Sequence, residues 1–461
     1  MKHHILFQWK NSKQPQKPKD LITKSYDNPL LLPEIAFAVC HYLSGKDLHS
    51  LCLSCSSLFP SAVRFLWRFI RIRSIDCFRK FGRTLSSPQT NRMDYPSFVH
   101  LFECYFPNNH DINFGLFVLR YFVFPNLRAA RILGNVSIAD MLPPLLQAAQ
   151  PHLTDLICRS SMAPDFHAAL LGIPPDRLRT LGMWGTNPFQ AQGDLVRRHQ
   201  RTLQRVQLNR ADEQVMVALR GCGGLRELWY NTEPPVWDSH RESLTAFCES
   251  EAVKGLELLC LRNWIDFQSN HLAAIARGSG ENLRCLRIMG SPKFRGAFKI
   301  VAERCPNLEV LHTDAVEEVD LELITTYCRR LKELHVHNSI VWSNASLRPL
   351  IDIAPSTYTL EVLKLHRFNV DLIFAQRLVT ELPRLNEFSP GRPWSQETVK
   401  RFLKLLRKQM GKKVFRVGMS GLTIFRMGVD RRESNFEWNA PVEFDEEKNC
   451  GDNTRVGLGY V

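Results

Sequence analysis

Between Pro125 and about Gly391, apolar positions return in one phrase: a leucine, two residues, an apolar residue, one residue, a second apolar residue. It reads NLRAARI from Asn126, HLTDLIC from His152, RLRTLGM from Arg177 and TLQRVQL from Thr202. GLRELWY from Gly224, GLELLCL from Gly255, NLRCLRI from Asn282, NLEVLHT from Asn307, RLKELHV from Arg330 and TLEVLKL from Thr359 continue it, and RLNEFSP from Arg384 is a decayed last copy. The lead leucines run from Leu127 to Leu385, 258 positions over ten intervals, a mean period of about 26. In extended backbone the two apolar residues after the lead leucine point to one face, and the residues between and beside them to the other.

One such strand cannot bury its apolar side alone. Stacked copies make a continuous core, closed behind by a helix or loop in each repeat. A period of about 20–29 residues is that of leucine-rich repeats, so the expected fold is an α/β solenoid, a horseshoe of about eleven repeats. The phrase also predicts a binding face. Arg131, Gln207, Trp229, Arg287, His312, His335 and Lys364 fall in one row of the concave side. Arg159, Trp184, Asn209, Asn231, Arg262, Met289, Asp314, His337 and His366 fall in the next. Trp and Arg are favoured interface anchors. The candidate substrate-binding set is therefore Trp184, Trp229, Arg262, Arg287, His312, His335, His337 and His366. The histidines read as polar groove residues, or as an acidic-ligand site if an anion lets them gain a proton. A flat row rarely converges ligands on one point, so no metal is expected.

The remaining chain divides around this array. Residues 1–27 form a polar, Lys-rich tail broken by Pro15 and Pro18. Residues 28–72 predict three short helices. Pro33 and Glu34 open the first, with Ile35, Val39, Tyr42 and Leu43 at helical spacing. Asp47 is placed to cap the second, carrying Leu48, Leu51 and Leu53. Val63, Leu66 and Trp67 mark the third. Such a unit has little room for a private core and must pack on a neighbour or bind a partner. Residues 73–124 read as a connector, mainly helical, and 392–429 as a C-terminal cap with a basic helix. Residues 430–461 read as an acidic tail.

The ordered series LLPEI…YL…KDLHSLCLSCSSLF…LWR resembles an F-box, and the whole chain resembles the F-box proteins with C-terminal leucine-rich repeats. Leu32-Pro33-Glu34-Ile35, Tyr42-Leu43, Asp47-Leu48…Leu51 and Leu66-Trp67-Arg68 carry the motif. Cys222, Cys305 and Cys328, each just before a lead leucine, match the family's cysteine-containing repeats. The resemblance implies docking to the Skp-type adaptor of a cullin–RING ubiquitin ligase through Leu32, Pro33, Ile35, Leu43, Leu48, Leu51 and Trp67. It implies a substrate protein held by the repeats. The alternative is a ligase-independent scaffold for an acidic protein or nucleic acid.

The chain carries none of the phosphate-loop, zinc-protease or nucleophile-elbow motifs, and no catalytic residue or cofactor is expected. Cys52 and Cys55 have no second pair at finger spacing. Thirteen scattered cysteines suit a reducing compartment, cytoplasmic or nuclear. The longest apolar run, 114–124, is broken by Arg120 and too short for a bilayer. The net charge of +14 points to acidic partners or nucleic acid. It gathers on SQETVKRFLKLLRKQMGKKVFR from Ser395. Val399, Phe402, Leu403, Leu406 and Met410 make one face, expected to seal the open end of the solenoid. Lys400, Lys404, Arg407 and Lys408 on the other predict an acidic-partner site.

Overall fold

The computed structural model describes residues 33–72, 74–86, 94–106, 123–134, 149, 151–159, 170–184, 190–209, 213–231, 240–262, 267–289, 297–314, 316–337, 344–352, 359–366, 370–389, 394–410, 415–418 and 424–427. The tails at 1–27 and 430–461 lie outside these residues.

A single sheet runs through the chain with its strands in sequence order. We number them β1 (Phe69–Ile72), β2 (Leu101–Phe106), β3 (Ala129–Gly134), β4 (Asp155–Arg159), β5 (Thr180–Trp184), β6 (Arg205–Asn209), β7 (Glu227–Asn231), β8 (Leu258–Arg262), β9 (Cys285–Met289), β10 (Val310–Thr313), β11 (Glu333–His337), β12 (Val362–His366), β13 (Glu387–Ser389), β14 (Phe415–Gly418) and β15 (Ile424–Met427). Every pairing from β1 to β14 is parallel, and β15 closes the edge antiparallel to β14. This is a leucine-rich-repeat solenoid.

The lead leucines explain the stacking. From Leu127 to Leu385 all eleven are buried in one continuous core. Each contributes about 1.5–3 kcal/mol of apolar burial that an isolated repeat could not gain. The residue after each lead leucine forms a backbone ladder. Its N–H donates to the carbonyl of the equivalent residue one repeat earlier, as in Thr154 to Arg128, Arg179 to Thr154 and Gln204 to Arg179, at 2.7–2.8 Å. The ladder continues to Asn386. The residue before the lead leucine often adds a side-chain rung. Asn282 Nδ2 donates to the Lys254 carbonyl at 3.0 Å, Asn307 Nδ2 to Glu281 at 2.8 Å, and Thr359 Oγ1 to Leu331 at 2.9 Å. These rungs satisfy carbonyls that a turn would otherwise leave bare.

The array starts earlier than the phrase predicts. Val99, Phe102 and Cys104 occupy the lead and strand positions of β2, all fully buried. Trp67, Ile70 and Ile72 take the same positions for β1, Ile72 buried and the other two partly so, with the Trp67 ring 5.7 Å from Phe81. Neither repeat leads with leucine, so neither matches the phrase. The stretch expected to be a mainly helical connector holds a helix at Ile75–Ser86, a short one at Tyr95–Phe98, and β2.

Before β1 stand the three expected helices: α1 (Pro33–Tyr42), α2 (Gly45–Ser54) and α3 (Phe59–Arg68). Ser44, not Asp47, caps α2. Its Oγ accepts from the Asp47 N–H at 3.3 Å and donates to the Asp47 carboxylate at 2.6 Å. Asp47 is thus the third helical residue, favourable at the positive end of the helix.

Candidate functional site

The register of β3 to β13 sets the outward residues in rows. Gln207 pairs with Trp229, Cys260 with Arg287, Arg287 with His312, His312 with His335, and His335 with Lys364. The first predicted row thus shares one register line, with Ile157 and Gly182 between Arg131 and Gln207, and Cys260 between Trp229 and Arg287. In the second, Arg159 pairs with Trp184, Asn231 with Arg262, and His337 with His366. The side chain of His366 lies outside the described residues. Trp184 and Trp229 are half-buried, in different rows with β6 between them, so they do not form one aromatic patch. Trp229 instead meets Arg287, whose guanidinium lies 5.5 Å from the indole centre, a cation–π contact.

A third row, absent from the sequence reading, lies two residues earlier on each strand. It supplies acids that offset the cations. In the first row itself, Glu103 stands between Arg71 at 3.7 Å and Arg131 at 3.8 Å. Glu227 pairs with Arg205 at 2.9 Å, and Glu387 with Lys364 at 3.2 Å. The face is a lattice of compensated charge.

Glu333 is its most consequential member. Its Oε1 accepts from His312 Nε2 at 2.9 Å and lies 2.8 Å from His335 Nε2. The latter approach falls outside hydrogen-bond angles and leaves His335 Nε2 buried without a hydrogen-bond partner. The two imidazoles stack at 3.7 Å between centres and 12° between planes. His312 and His335 are only 6% and 8% exposed. Burial drives the His312 pKa down to about 3, against the pull of its hydrogen bond to Glu333. Burial also lowers His335. Burial alone would raise Glu333, but its contacts with both histidines outweigh it and hold the carboxyl far below its usual range. At neutral pH the unit is two neutral imidazoles around one carboxylate. The expected solvated histidines are therefore buried and locked together. The signal for Glu333 was present in ELHVH, where alternate residues Glu333, His335 and His337 share a face.

The three-helix unit has an inside and an outside. Cys40, Leu48 and Ala62 form its small core, with Leu43, Leu51, Cys52, Phe65 and Leu66 packed against it. Leu48 is 5% exposed, so it holds the unit together and is not the exposed docking residue that the motif implies. Trp67 packs on the solenoid core at the lead position of the first repeat. Ile35 is 37% exposed. Leu32 lies outside the described residues, and of Pro33 only the backbone is described. The residues most exposed here were not among the expected docking set: Phe37, Val39, Tyr42 at 86%, and Leu53. Cys52 and Cys55 are free thiols.

At the other end, the basic helix spans Gln396–Met410. Ser395 Oγ accepts from the Thr398 N–H at 3.1 Å, as a capping residue does. Val399, Phe402 and Leu406 are buried, with Phe402 edge-on to Trp394 at 5.1 Å. Lys400 and Lys404 are exposed, while the side chains of Arg407 and Lys408 lie outside the described residues. The sheet continues past this helix into β14. The helix is therefore the outer arm of one more repeat, and the β14–β15 hairpin closes the sheet.

No protein-family model and no curated protein sequence matches the chain. Among solved structures, it is similar to a chain in the crystal structure of the Rad7 and Elc1 complex in yeast. The identity is 15%, with 77% of this chain and 87% of that one covered, at a TM-score of 0.44. It is also similar to an internalin from Listeria monocytogenes at 12% identity, covering 78% and 88%, with a TM-score of 0.37. Scores this low assign no partner or activity. No helix among the described residues is long and apolar enough to cross a membrane.

Proposed function

We propose that this protein is the substrate-recognition subunit of a cullin–RING ubiquitin ligase. Its three-helix unit docks to a Skp-type adaptor, and the outward face of its sheet holds a substrate protein. One observation carries this reading. A unit bearing the ordered F-box motif buries a small core around Cys40, Leu48 and Ala62, and leaves Ile35, Phe37, Val39, Tyr42 and Leu53 facing outward. So many apolar side chains on about 36 residues mark an interface. On the substrate side, Trp229 sits with its Nε1 buried and without a hydrogen-bond partner beside Arg287, the kind of anchor that a bound chain completes. The protein performs no bond chemistry itself. It brings substrate lysines near a charged enzyme, and proximity supplies the rate.

Co-purification with a Skp-type adaptor tests the proposal. The full chain should retain the adaptor, and the double variant Leu32→Ala/Pro33→Ala should lose it. A chain that captures no adaptor returns the protein to the second reading, a ligase-independent scaffold for an acidic protein or nucleic acid. The exposed Lys400, Arg401 and Lys404 favour that alternative.

A further inference from the structure

We propose that His312, Glu333 and His335 form a binding site for one divalent transition-metal ion of the zinc or cobalt class, with imidazole Nε2 of both histidines and Oε1 of Glu333 as ligands. The three ligand atoms all lie within 4.8 Å of one another, across the adjacent strands β10 and β11. Two imidazoles and a carboxylate are a donor set that suits such ions.

Two independent features support the site. The first is the buried His335 Nε2, which is 2.8 Å from Glu333 Oε1 yet has no hydrogen-bond partner. A buried polar atom left unpaired costs free energy, and a shared ion would satisfy it. The second is placement: parallel pairing sets His312 directly opposite His335, and the Glu333 carboxylate reaches between them from two residues earlier on the same strand as His335.

The geometry also says what must move. Ligand atoms around a tetrahedral ion with bonds of about 2.0–2.1 Å stand about 3.3 Å apart. Here the oxygen–nitrogen separations are 2.9 and 2.8 Å. The stacked rings keep their lone pairs nearly parallel, so one imidazole must turn about its Cβ–Cγ bond. His335 is the ring with no hydrogen bond to lose from Nε2. Three protein ligands leave a fourth position for water or a group from a bound protein.

The surrounding charge sets selectivity. Arg287 and Lys364 flank the histidines in the same row, and Lys364 is itself tied to Glu387 at 3.2 Å. Nearby cations oppose an ion held by field alone. Mg²⁺ and Ca²⁺, which demand several oxygen ligands, are thereby excluded, and an ion held through imidazole nitrogen is favoured.

The test uses the full chain, dialysed against chelator and titrated with Co²⁺ and then Zn²⁺. One equivalent of Co²⁺ should bind with the visible absorption of a four-coordinate ion, and Zn²⁺ should displace it. Excess Mg²⁺ or Ca²⁺ should not. His312→Ala, Glu333→Gln and His335→Ala should each weaken binding beyond the roughly 10–100-fold that an outer-shell change costs. His335→Cys, which keeps a ligand, should bind Co²⁺ with a new thiolate charge-transfer band, even if an alanine variant folds poorly. His3→Ala/His4→Ala removes the histidine pair of the N-terminal tail as a competing site and should leave the equivalent intact. No stoichiometric binding by the full chain would overturn the proposal. So would binding that survives His335→Ala but disappears with His3→Ala/His4→Ala. The adaptor plays no part in this titration, so its result is independent of the ligase reading.

Discussion

Replacing Leu48 by alanine should unfold the N-terminal helices without touching the repeats. Leu48 is the largest side chain of the buried cluster, with Cys40 and Ala62, at the centre of 33–68. A Leu→Ala change in a core costs about 2–5 kcal/mol, from lost burial and the cavity left behind. At about 0.05–0.15 kcal/mol per residue, a unit of 36 residues (33–68) has only ~2–5 kcal/mol to lose. The perturbation therefore equals the unit's own stability. The repeats, whose lead leucines belong to a separate core, should not respond. Hydrogen exchange read peptide by peptide resolves the two. Amides of Pro33–Ser54 should lose protection in Leu48→Ala, and those of β6 to β12 should keep theirs. Tyr42→Ala supplies the contrast, because an 86% exposed side chain can be removed without opening a cavity. That variant should stay fully protected and lose only adaptor binding. Wild-type protection of 33–54 in Leu48→Ala would refute the argument, since the helices would then be held by something other than their own core.

Acid should destabilise the solenoid through His199. Its Nδ1 accepts the Arg177 N–H at 3.3 Å, and burial, aided by Arg198, lowers its pKa to about 4. The unfolded chain, titrating near 6.5, then binds more protons than the folded one between those values. The stabilisation is therefore present above pH 6.5 and lost as pH falls toward 4, by up to about 1.4 kcal/mol per pH unit and about 3 kcal/mol in all. Urea midpoints from pH 7.5 to 4.5 should show this slope, and His199→Asn, which keeps an acceptor but cannot titrate, should flatten it; equal slopes would exclude His199 as the cause. Trp229→Ala should weaken substrate capture by about 2 kcal/mol or more if Trp229 is an anchor, with the melting of the repeats as control and unchanged capture as the contrary result. Lys400→Gln/Lys404→Gln should leave folding intact and remove salt-sensitive retention on a polyanion column; unchanged elution would leave the helix a purely structural arm.

The repeats were legible in the sequence because their cause is local and periodic. An L-x-x-L-x-L strand has one way to hide its apolar side, and eleven copies fix both the stack and the rows that face outward. The three N-terminal helices and the amphipathic helix after Ser395 were legible for the same reason, since a 3.6-residue period fits no other element. Three things were decided only in three dimensions. The array begins at Trp67 and Val99, because a slot defined by burial accepts any large apolar residue, and a search for leucine passes over them. Leu48 turns inward because the crossing of three short helices, which periodicity does not specify, chooses which apolar residues face one another. Glu333 meets His312, 21 residues away in the chain, because parallel pairing lays their strands side by side. Neither residue signals the other along the sequence, and the register alone places a carboxylate between two buried imidazoles.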